Sequence, residues 1–329
     1  MICDKYWAVK EFDQVELQDI RLNQRCQELA ATLSRQPSAP INQACEEWSD
    51  TKASYRFFDN DNVTPIRILT PHHQCTVERM QKHEWVLAVQ DTTFFNYTHH
   101  PHTQGLGEIG NKKQNQRGFG MHTTLAMTPA GVPLGLLTQA FFTRPIGEPA
   151  HKPKELRKLP IEEKESYRWL EAFEQTLKLA PSGVQVLTVC DREADIYEMF
   201  VLAQEEQASL LIRASKDRRL AEQEVDKLRP KVEREPIAGY LTVHITGNQK
   251  QETRKAKVSV RYVQVQLDPP WRPEGKKLPP VTMHAVLVRE DSPPDNVDDP
   301  IEWLLLINLP VDDFEDAVQV IEWYCCRWQ

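Results

Sequence analysis

The sequence predicts an α/β protein with an all-helical N-terminal domain, a mixed core of strands and helices, and a β-rich insertion before a final helix. Three observations carry this prediction. Apolar residues recur at helical spacing up to about residue 82, short apolar runs alternate with amphipathic stretches up to residue 213, and period-2 stretches alternate with proline-rich turns from residue 236 to 310. The 329 residues also exceed a typical domain of roughly 100 to 200.

The composition is that of a globular protein, with 40% hydrophobic and 27% charged residues. An apolar run of about 18 residues is absent, and Met1 opens no apolar leader, so we expect neither membrane insertion nor secretion and place the chain in the cytoplasm. Seven scattered cysteines form no C-x-x-C pair, so we expect neither a disulfide framework nor a zinc knuckle.

Charge is distributed unevenly along the chain. The net charge is −8, yet the segment from Arg213 to Arg261 holds 13 basic residues against 7 acidic ones. Such a segment is either a solvated surface or a groove for the DNA backbone, and composition alone does not decide between them.

The first part of the chain predicts a helical domain over residues 1–82. Residues 7–36 carry apolar side chains at near-helical spacing until Pro37, which suggests one helix. A second helix is predicted over residues 41–58, and a third follows the Asn60-Asp61-Asn62 turn and extends to about Lys82.

The middle of the chain predicts a buried strand over 85–91 that ends at Asp91, then strands over 121–127 and 132–142. The next predicted elements are an exposed loop over 145–160, a helix over 162–180 and a strand over 184–190 that ends before Asp191. They are followed by a helix over 194–206 and a strand over 209–213. This order matches a ribonuclease-H-like core, for which we take residues 83–213. Residues 214–310 are then the β-rich insertion, and residues 311–329 begin the last core helix.

Two predicted buried strands therefore end on an aspartate, in Val89-Gln90-Asp91 and in Val189-Cys190-Asp191. Carboxylates at the ends of adjacent strands can share Mg²⁺ ions, which stabilise the attacking and leaving oxygens of phosphoryl transfer. A single aspartate after a strand is more often a helix N-cap or a turn residue.

Several ordered motifs make the chain resemble the bacterial insertion-sequence transposases of family four, the group of DDE transposases that contains the Tn-five transposase. The motifs are Ala53-Ser54-Tyr55-Arg56-Phe57-Phe58-Asp59-Asn60, Gln90-Asp91-Thr92-Thr93, Gly105-Leu106-Gly107, Gly135-Leu136-Leu137 with Thr143-Arg144-Pro145, Asp191-Arg192-Glu193-Ala194-Asp195-Ile196-Tyr197, Trp303-Leu304-Leu305-Leu306, and Tyr324-x-x-Arg327-Trp328. The resemblance runs in order from about Trp7 to Gln329.

The resemblance implies a cut-and-paste DNA transposase that binds transposon ends and uses metal-dependent phosphoryl transfer. Asp91 and Asp191 would be catalytic and hold Mg²⁺, with Mn²⁺ able to substitute. DNA would be bound by residues in three groups: Tyr324, Arg327 and Trp303 beside a flipped base near the cleavage point; Arg213, Lys216, Arg218 and Arg219 along the transposon end; and Arg21, Arg25, Tyr55 and Arg56 further into that end. Implied partners are the double-stranded DNA of the terminal repeats and of the target.

The family signature continues past Gln329 to a catalytic Glu, so we expect this chain to lack the third carboxylate. Glu322 lies about half a helical turn out of phase and should face away from the two aspartates. The family's homodimer forms through helices that would also come after Gln329, and its members act at the bacterial nucleoid. Three interpretations stay open: a transposase cut short, an inactive DNA-binding inhibitor of transposition, and an unrelated ribonuclease-H-like nuclease.

Overall fold

A computed structural model describes residues 3–110, 115–147, 155, 159–221, 227–245, 253–272, 277–294, 297 and 299–328. Lys250 of the basic segment and most of the predicted loop over 145–160 lie outside these residues. The chain divides into two compact units: unit 1 comprises Met1–Lys82 with Leu134–Leu136, and unit 2 comprises His83–Pro133 with Leu137–Gln329.

Unit 1 is helical. Its helices are α1 (Cys3–Glu11), α2 (Ile20–Arg35), α3 (Ile41–Ala44), α4 (Trp48–Phe58) and α5 (Pro65–Met80). Five buried side chains form its core: Val15, Leu17, Cys26, Leu29 and Phe57. Glu11 on α1 accepts hydrogen bonds from both terminal nitrogens of Arg79 on α5, at 2.7 and 2.8 Å. This ion pair joins the first and last helices of the unit.

The prediction of one helix over residues 7–36 is wrong, because the chain leaves helical geometry between Glu11 and Ile20. Gln18 has a left-handed backbone with φ of 65°. Asp19 is extended, and its side chain accepts the N–H of Arg21, which caps α2. Val15 and Leu17, whose spacing suggested a helix face, instead lie in the connecting segment and reach the core from there.

Unit 2 is an α/β unit built on one ten-stranded mixed sheet. Its strands are β1 (Trp85–Asn96), β2 (Gly107–Ile109), β3 (Gln116–Met127), β4 (Pro133–Phe142), β5 (Gln185–Cys190), β6 (Ser209–Arg213), β7 (Gly239–Ile245), β8 (Arg254–Leu267), β9 (Val281–Arg289) and β10 (Glu302–Ile307). Its helices are α6 (Tyr167–Leu179), α7 (Tyr197–Glu205), α8 (Leu228–Arg234) and α9 (Phe314–Cys325).

The strand order is β2-β3-β1-β5-β6-β10-β9-β8-β7, with β4 also paired to β3. The β1–β5 and β5–β6 pairs are parallel. Strand β10 runs antiparallel to β6, and β9, β8 and β7 continue from it. Strands β7 to β10, which come after residue 236, therefore extend the sheet that β1 to β6 form.

Helices cover both faces of this sheet. On one face, Trp169 and Phe173 of α6 and Phe200 of α7 pack in a core with Leu210 and Ile212. On the other face, the apolar side of α9 packs against alternate residues of the central strands: Ala317, Val320, Ile321 and Tyr324 meet Leu187, Val189, Leu211 and Val286. Side chains of a strand alternate between faces, so these contacts fix which face every strand residue belongs to. No helix in the described part of the chain has the length and apolarity needed to cross a membrane.

Candidate functional site

The register between β1 and β5 brings Asp91 and Asp191 together. The two strands are parallel, and the last Cα partners are Val89 and Val189. Each aspartate follows its valine by two residues, so both carboxylates belong to the face that α9 covers, at the same edge of the parallel pair. Neighbouring strands lie about 4.8 Å apart, which is close enough for the two carboxylates to act on one ligand.

The prediction that the first strand ends at Asp91 is wrong, because β1 continues to Asn96. Pairing with β5 ends at Val89, whereas antiparallel pairing with β3 continues from Leu87 to Asn96. Asp91 faces Thr123 within this hairpin. The sequence signal at Asp91 therefore marks the end of burial and of parallel pairing.

Arg327 bridges the two carboxylates. Its Nη2 donates to Asp91 Oδ1 at 2.8 Å and lies 3.9 Å from Asp191 Oδ2. Partial desolvation raises the pKa of Asp91, the Arg327 guanidinium opposes this rise, and the charge of Asp191 adds to it. Two carboxylates and a cation thus share one small space, an arrangement that concentrates charge at this edge of the sheet.

Asp191 also has the local role that a lone aspartate after a strand would suggest. Its Oδ1 accepts the backbone N–H of Glu193 at 2.7 Å and caps a short 3-10 turn over Arg192–Ala194. Its Oδ2 remains directed towards Arg327. The capping bond orients the carboxylate. Asp191 can therefore cap the turn through Oδ1 and face Arg327 through Oδ2 at the same time.

Aromatic side chains stand beside Arg327. Tyr324, which is buried on α9, packs edge-on against Trp303 of β10 with ring centres 5.6 Å apart. Trp328 lies 5.3 Å from Trp303 and 5.0 Å from Tyr324. Burial raises the pKa of Tyr324, while Arg327 and Arg213 act in the opposite direction. Arg213, Trp303 and Arg327 therefore surround Tyr324, and Arg327 connects this cluster to the aspartate pair.

Three further basic residues from the sequence analysis lie on the segment after β6, and two of them, Lys216 and Arg218, contact Asp195. Asp195 is 1% exposed and accepts the backbone N–H groups of Ser215 and Lys216, each at 2.8 Å. Arg218, also buried, donates from Nε and Nη2 to the same carboxylate. Lys216 Nζ donates to the Asp195 carbonyl oxygen at 2.8 Å. Asp195 thus anchors this segment, and its oxygens are used by protein donors.

Arg219 contrasts with its neighbour Arg218. Its side chain is 71% exposed, and its Nε lies 3.8 Å from Asp268. Further along the basic segment, Arg229 pairs with Glu302, Lys231 with Glu235 and Arg254 with Glu290. Much of the local positive charge is therefore neutralised within the fold, and Arg219 is one of the basic side chains that remain accessible.

Unit 1 presents an exposed aromatic and basic surface on α4. Trp48, Lys52, Tyr55 and Arg56 are all exposed, and their spacing places them on one side of the helix. Arg21 is exposed beside Asp19, and Arg25 lies 3.4 Å from Asp50. We call Trp48, Lys52, Tyr55 and Arg56 the α4 surface. Trp48 and Lys52 were not singled out by the sequence motifs, although their helical spacing to Tyr55 and Arg56 could have identified them.

Other groups near the aspartates also escaped the sequence analysis. Arg168 of α6 donates to Glu193 at 2.8 Å and lies 3.4 Å from Thr92 Oγ1. No motif marked Arg168, since an arginine on an amphipathic helix gives no such signal. Glu322 is exposed and accepts a hydrogen bond from Gln319. Among the described residues, no group of three His, Cys, Asp or Glu side chains is arranged to hold a metal ion.

Residues 4–63, which include α1 to α4, match the family model described as transposase DNA-binding. The match covers the exposed α4 surface and the core of unit 1. It supports a DNA-binding, transposase-related role for the chain, with DNA as a partner.

Proposed function

We propose that this protein is a DDE-type DNA transposase of the cut-and-paste class, related to family-four insertion-sequence transposases. One observation carries the proposal: Asp91 and Asp191, about 100 residues apart in sequence, meet the same Arg327 guanidinium at one edge of the sheet. The transposase DNA-binding match over residues 4–63 adds independent support from the other unit.

The strand order supports a ribonuclease-H-like core. An antiparallel β1–β3–β4 set followed by parallel β5 and β6 is the arrangement expected of that core over residues 83–213. In this proposal residues 1–82 bind the transposon end, residues 214–310 form a β insertion that widens the sheet, and residues 311–329 begin the C-terminal core helix.

The carboxylate pair suits a divalent cation. Asp91 and Asp191 present hard oxygen donors to one space, and the approach of Asp191 already disfavours ionisation of Asp91, a cost that a bound cation would reverse. We propose that these two residues hold Mg²⁺, or Mn²⁺ in its place. When bound, the ion would supply a polarised water and charge stabilisation at the scissile phosphate.

The chain's own residues would position the DNA. Arg327 and Arg213 would neutralise phosphate charge beside the aspartates, and Trp303 and Tyr324 would support an unstacked base. Arg219 would contact the backbone from the segment after β6, while Lys216 and Arg218 would set that segment's shape. In unit 1, Arg21, Arg25, Tyr55 and Arg56 would bind further along the end.

The test of DNA recognition is a gel-shift titration on duplexes from the flanking terminal repeats and on scrambled duplexes. We expect a preference for the repeats that Tyr55→Ala and Arg56→Gln weaken, whereas Ile66→Ala, an exposed apolar control on α5, does not. Loss of a phosphate contact at Arg56 should reduce the salt slope by about 1. Equal affinity for repeats and scrambled duplexes would remove the end-binding role from the proposal.

The test of the metal site is terbium luminescence, since Tb³⁺ replaces hard divalent cations and tryptophan can sensitise it. Asp91→Ala and Asp191→Ala should abolish binding, and Glu322→Gln, which removes an exposed carboxylate on α9, should not. A parallel cleavage assay on end DNA with Mg²⁺ or Mn²⁺ tests the catalytic role of the two aspartates. If the wild-type protein cuts end DNA, Asp91→Ala should not, and cleavage by Asp91→Ala would contradict the carboxylate role.

A further inference from the structure

Four aromatic rings lie together on unit 2 beyond the aspartate pair. Phe95 stacks on Phe119 with ring centres 4.9 Å apart, and Phe119 in turn lies 5.7 Å from Tyr97 and 6.0 Å from Phe141. We call Phe95, Tyr97, Phe119 and Phe141 the aromatic platform. An open hollow of about 440 Å³ lies against it. It is lined by Tyr97, Phe119 and the segment Phe141–Thr143, together with the loop Thr103–Leu106. Phe141 is 53% exposed.

The platform belongs to the same sheet face as Asp91. Side chains alternate along β1, so Asp91, Thr93 and Phe95 share a face, and their partners on β3 are Thr123, Met121 and Phe119. Phe95 comes four positions after Asp91 along β1, which corresponds to a distance of about 14 Å in an antiparallel strand. A strip of one sheet face therefore leads from the carboxylate pair to the aromatic rings.

The opposite face of the same hairpin differs. There Phe94 and Phe142 pack edge-on, and guanidinium groups already cover both rings: Arg144 lies 4.8 Å from the Phe94 ring and Arg168 lies 4.8 Å from the Phe142 ring. A guanidinium therefore already stacks on each of these two rings, although Phe94 is still 36% exposed. Among the described residues no arginine or lysine stacks on a ring of the platform, and Phe141 is 53% exposed.

The chemistry of the platform suits nucleic acid. No acidic residue lines the hollow in the part of the chain that the structure describes. Arg117 lies two residues before Phe119 on β3 and on the same face. Its Nη2 lies 3.5 Å from the amide oxygen of Asn115, and it forms no ion pair with a described carboxylate. Glu108 of β2 is the Cα partner of Arg117, but its side chain accepts the backbone N–H of Gly147. Rings that stack bases, with a cation at their side, are what single-stranded DNA-binding surfaces use.

We propose that the aromatic platform stacks unpaired nucleobases of the DNA strand whose phosphate lies at Asp91 and Asp191. This inference rests on the proposed function and adds to it a second contact, specific for unpaired DNA. A B-form strand advances about 3.4 Å per nucleotide, so the bases concerned lie about four nucleotides from the carboxylates, and fewer if the strand is extended.

The experiment compares two DNA probes on the polypeptide of residues 1–329: a blunt terminal-repeat duplex, and the same duplex with a short single-stranded extension. The extension carries 2-aminopurine, whose fluorescence falls when it stacks on an aromatic ring. Phe141→Ala removes the exposed ring. Val132→Ala, a similarly exposed apolar side chain just before β4, is the matched control.

We expect Phe141→Ala to weaken binding of the extended probe by roughly 5- to 100-fold and to abolish the quenching. Binding of the blunt duplex should be unchanged, Val132→Ala should behave as the wild type, and Phe141→Tyr should restore both signals. Since Phe141 is exposed, the variant should fold, and an unchanged melting temperature would verify this.

Other outcomes overturn the inference. If Phe141→Ala binds both probes as the wild type does, the platform has no role in DNA binding, while the proposed end recognition stands. If the wild-type protein binds neither probe, the proposed function fails and the inference fails with it. If sedimentation shows that Phe141→Ala converts a dimer into a monomer and quenching is absent in the wild type, a second copy of the chain covers the platform.

Discussion

The adjacent residues Arg218 and Arg219 allow a sharp test of which basic side chains serve the fold. Arg218 is buried and donates to the Asp195 carboxylate, which is itself 1% exposed. Arg218→Met keeps most of the side-chain volume but leaves Asp195 without its charged partner. Breaking a buried ion pair from one side costs about 3 to 5 kcal/mol. Because Ser215 and Lys216 still donate to Asp195, we expect a value near the lower end.

Arg219→Met is the matched control. Its side chain is exposed and reaches Asp268 only at 3.8 Å, so the change should cost no more than about 1 kcal/mol. The assay is thermal or urea unfolding of both variants with gel shifts on end DNA. A loss of about 3 kcal/mol would lower the Tm of a unit of this size by about 6 °C for Arg218→Met. Arg219→Met should keep the Tm and weaken DNA binding.

The reasoning would be refuted if Arg218→Met kept the wild-type Tm and lost DNA affinity. That result would mean that the Arg218 side chain leaves Asp195 to contact DNA, as the family resemblance by itself implies. An Asp195→Asn variant gives a second view of the same pair, because it removes the charge and keeps the shape. It should destabilise the protein to a similar extent as Arg218→Met.

Three further predictions follow from the contacts of unit 2. Burial, with a smaller effect of Arg168, lowers the pKa of His122 to about 4, from about 6.5 when unfolded. Between about pH 6.5 and pH 4 the unfolded chain binds a proton at His122 that the folded protein does not bind. The free energy of unfolding should therefore fall by about 3 kcal/mol from about pH 6.5 to pH 4. In urea titrations, His122→Gln should remove most of this pH dependence. Arg327→Ala removes the cation that bridges Asp91 and Asp191, so Tb³⁺ should bind a few-fold more tightly; unchanged or weaker binding would show that Arg327 does not compete with the ion. Gly118→Ala would place a Cβ in steric conflict with the Phe95 carbonyl oxygen, so a lower Tm and loss of 2-aminopurine quenching are expected; a native Tm would contradict the close packing of β1 on β3.

Much of the architecture follows from local sequence patterns. The helical N-terminal part, the apolar central strands and α9 were predicted from periodicity, since an amphipathic helix and a buried strand each leave a distinct spacing of apolar residues. The strand over Ser209–Arg213 was predicted with the bounds that the structure shows. The break between α1 and α2 was missed, because Val15 and Leu17 are buried without being helical.

The sequence by itself determined which residue types stand at the ends of the central strands. It marked Asp91 and Asp191 through the change from apolar to polar residues, and Tyr324 and Arg327 through the resemblance of the Tyr324-x-x-Arg327-Trp328 motif to a family signature. It could not determine that β1 continues for several residues after its pairing with β5 ends, or that the strands after residue 236 join the same sheet. Strand pairing depends on contacts between segments that are distant in sequence.

Only the tertiary structure decided the roles of otherwise similar residues. Arg218 and Arg219 are the same residue type at adjacent positions, yet the Arg218 side chain is buried against Asp195 and the Arg219 side chain is exposed. The aromatic platform likewise joins residues from β1, β3 and β4 that carry no common motif. The physical reason is the same in both cases: burial, ion pairing and ring stacking act between residues far apart in sequence, and the fold alone sets those distances.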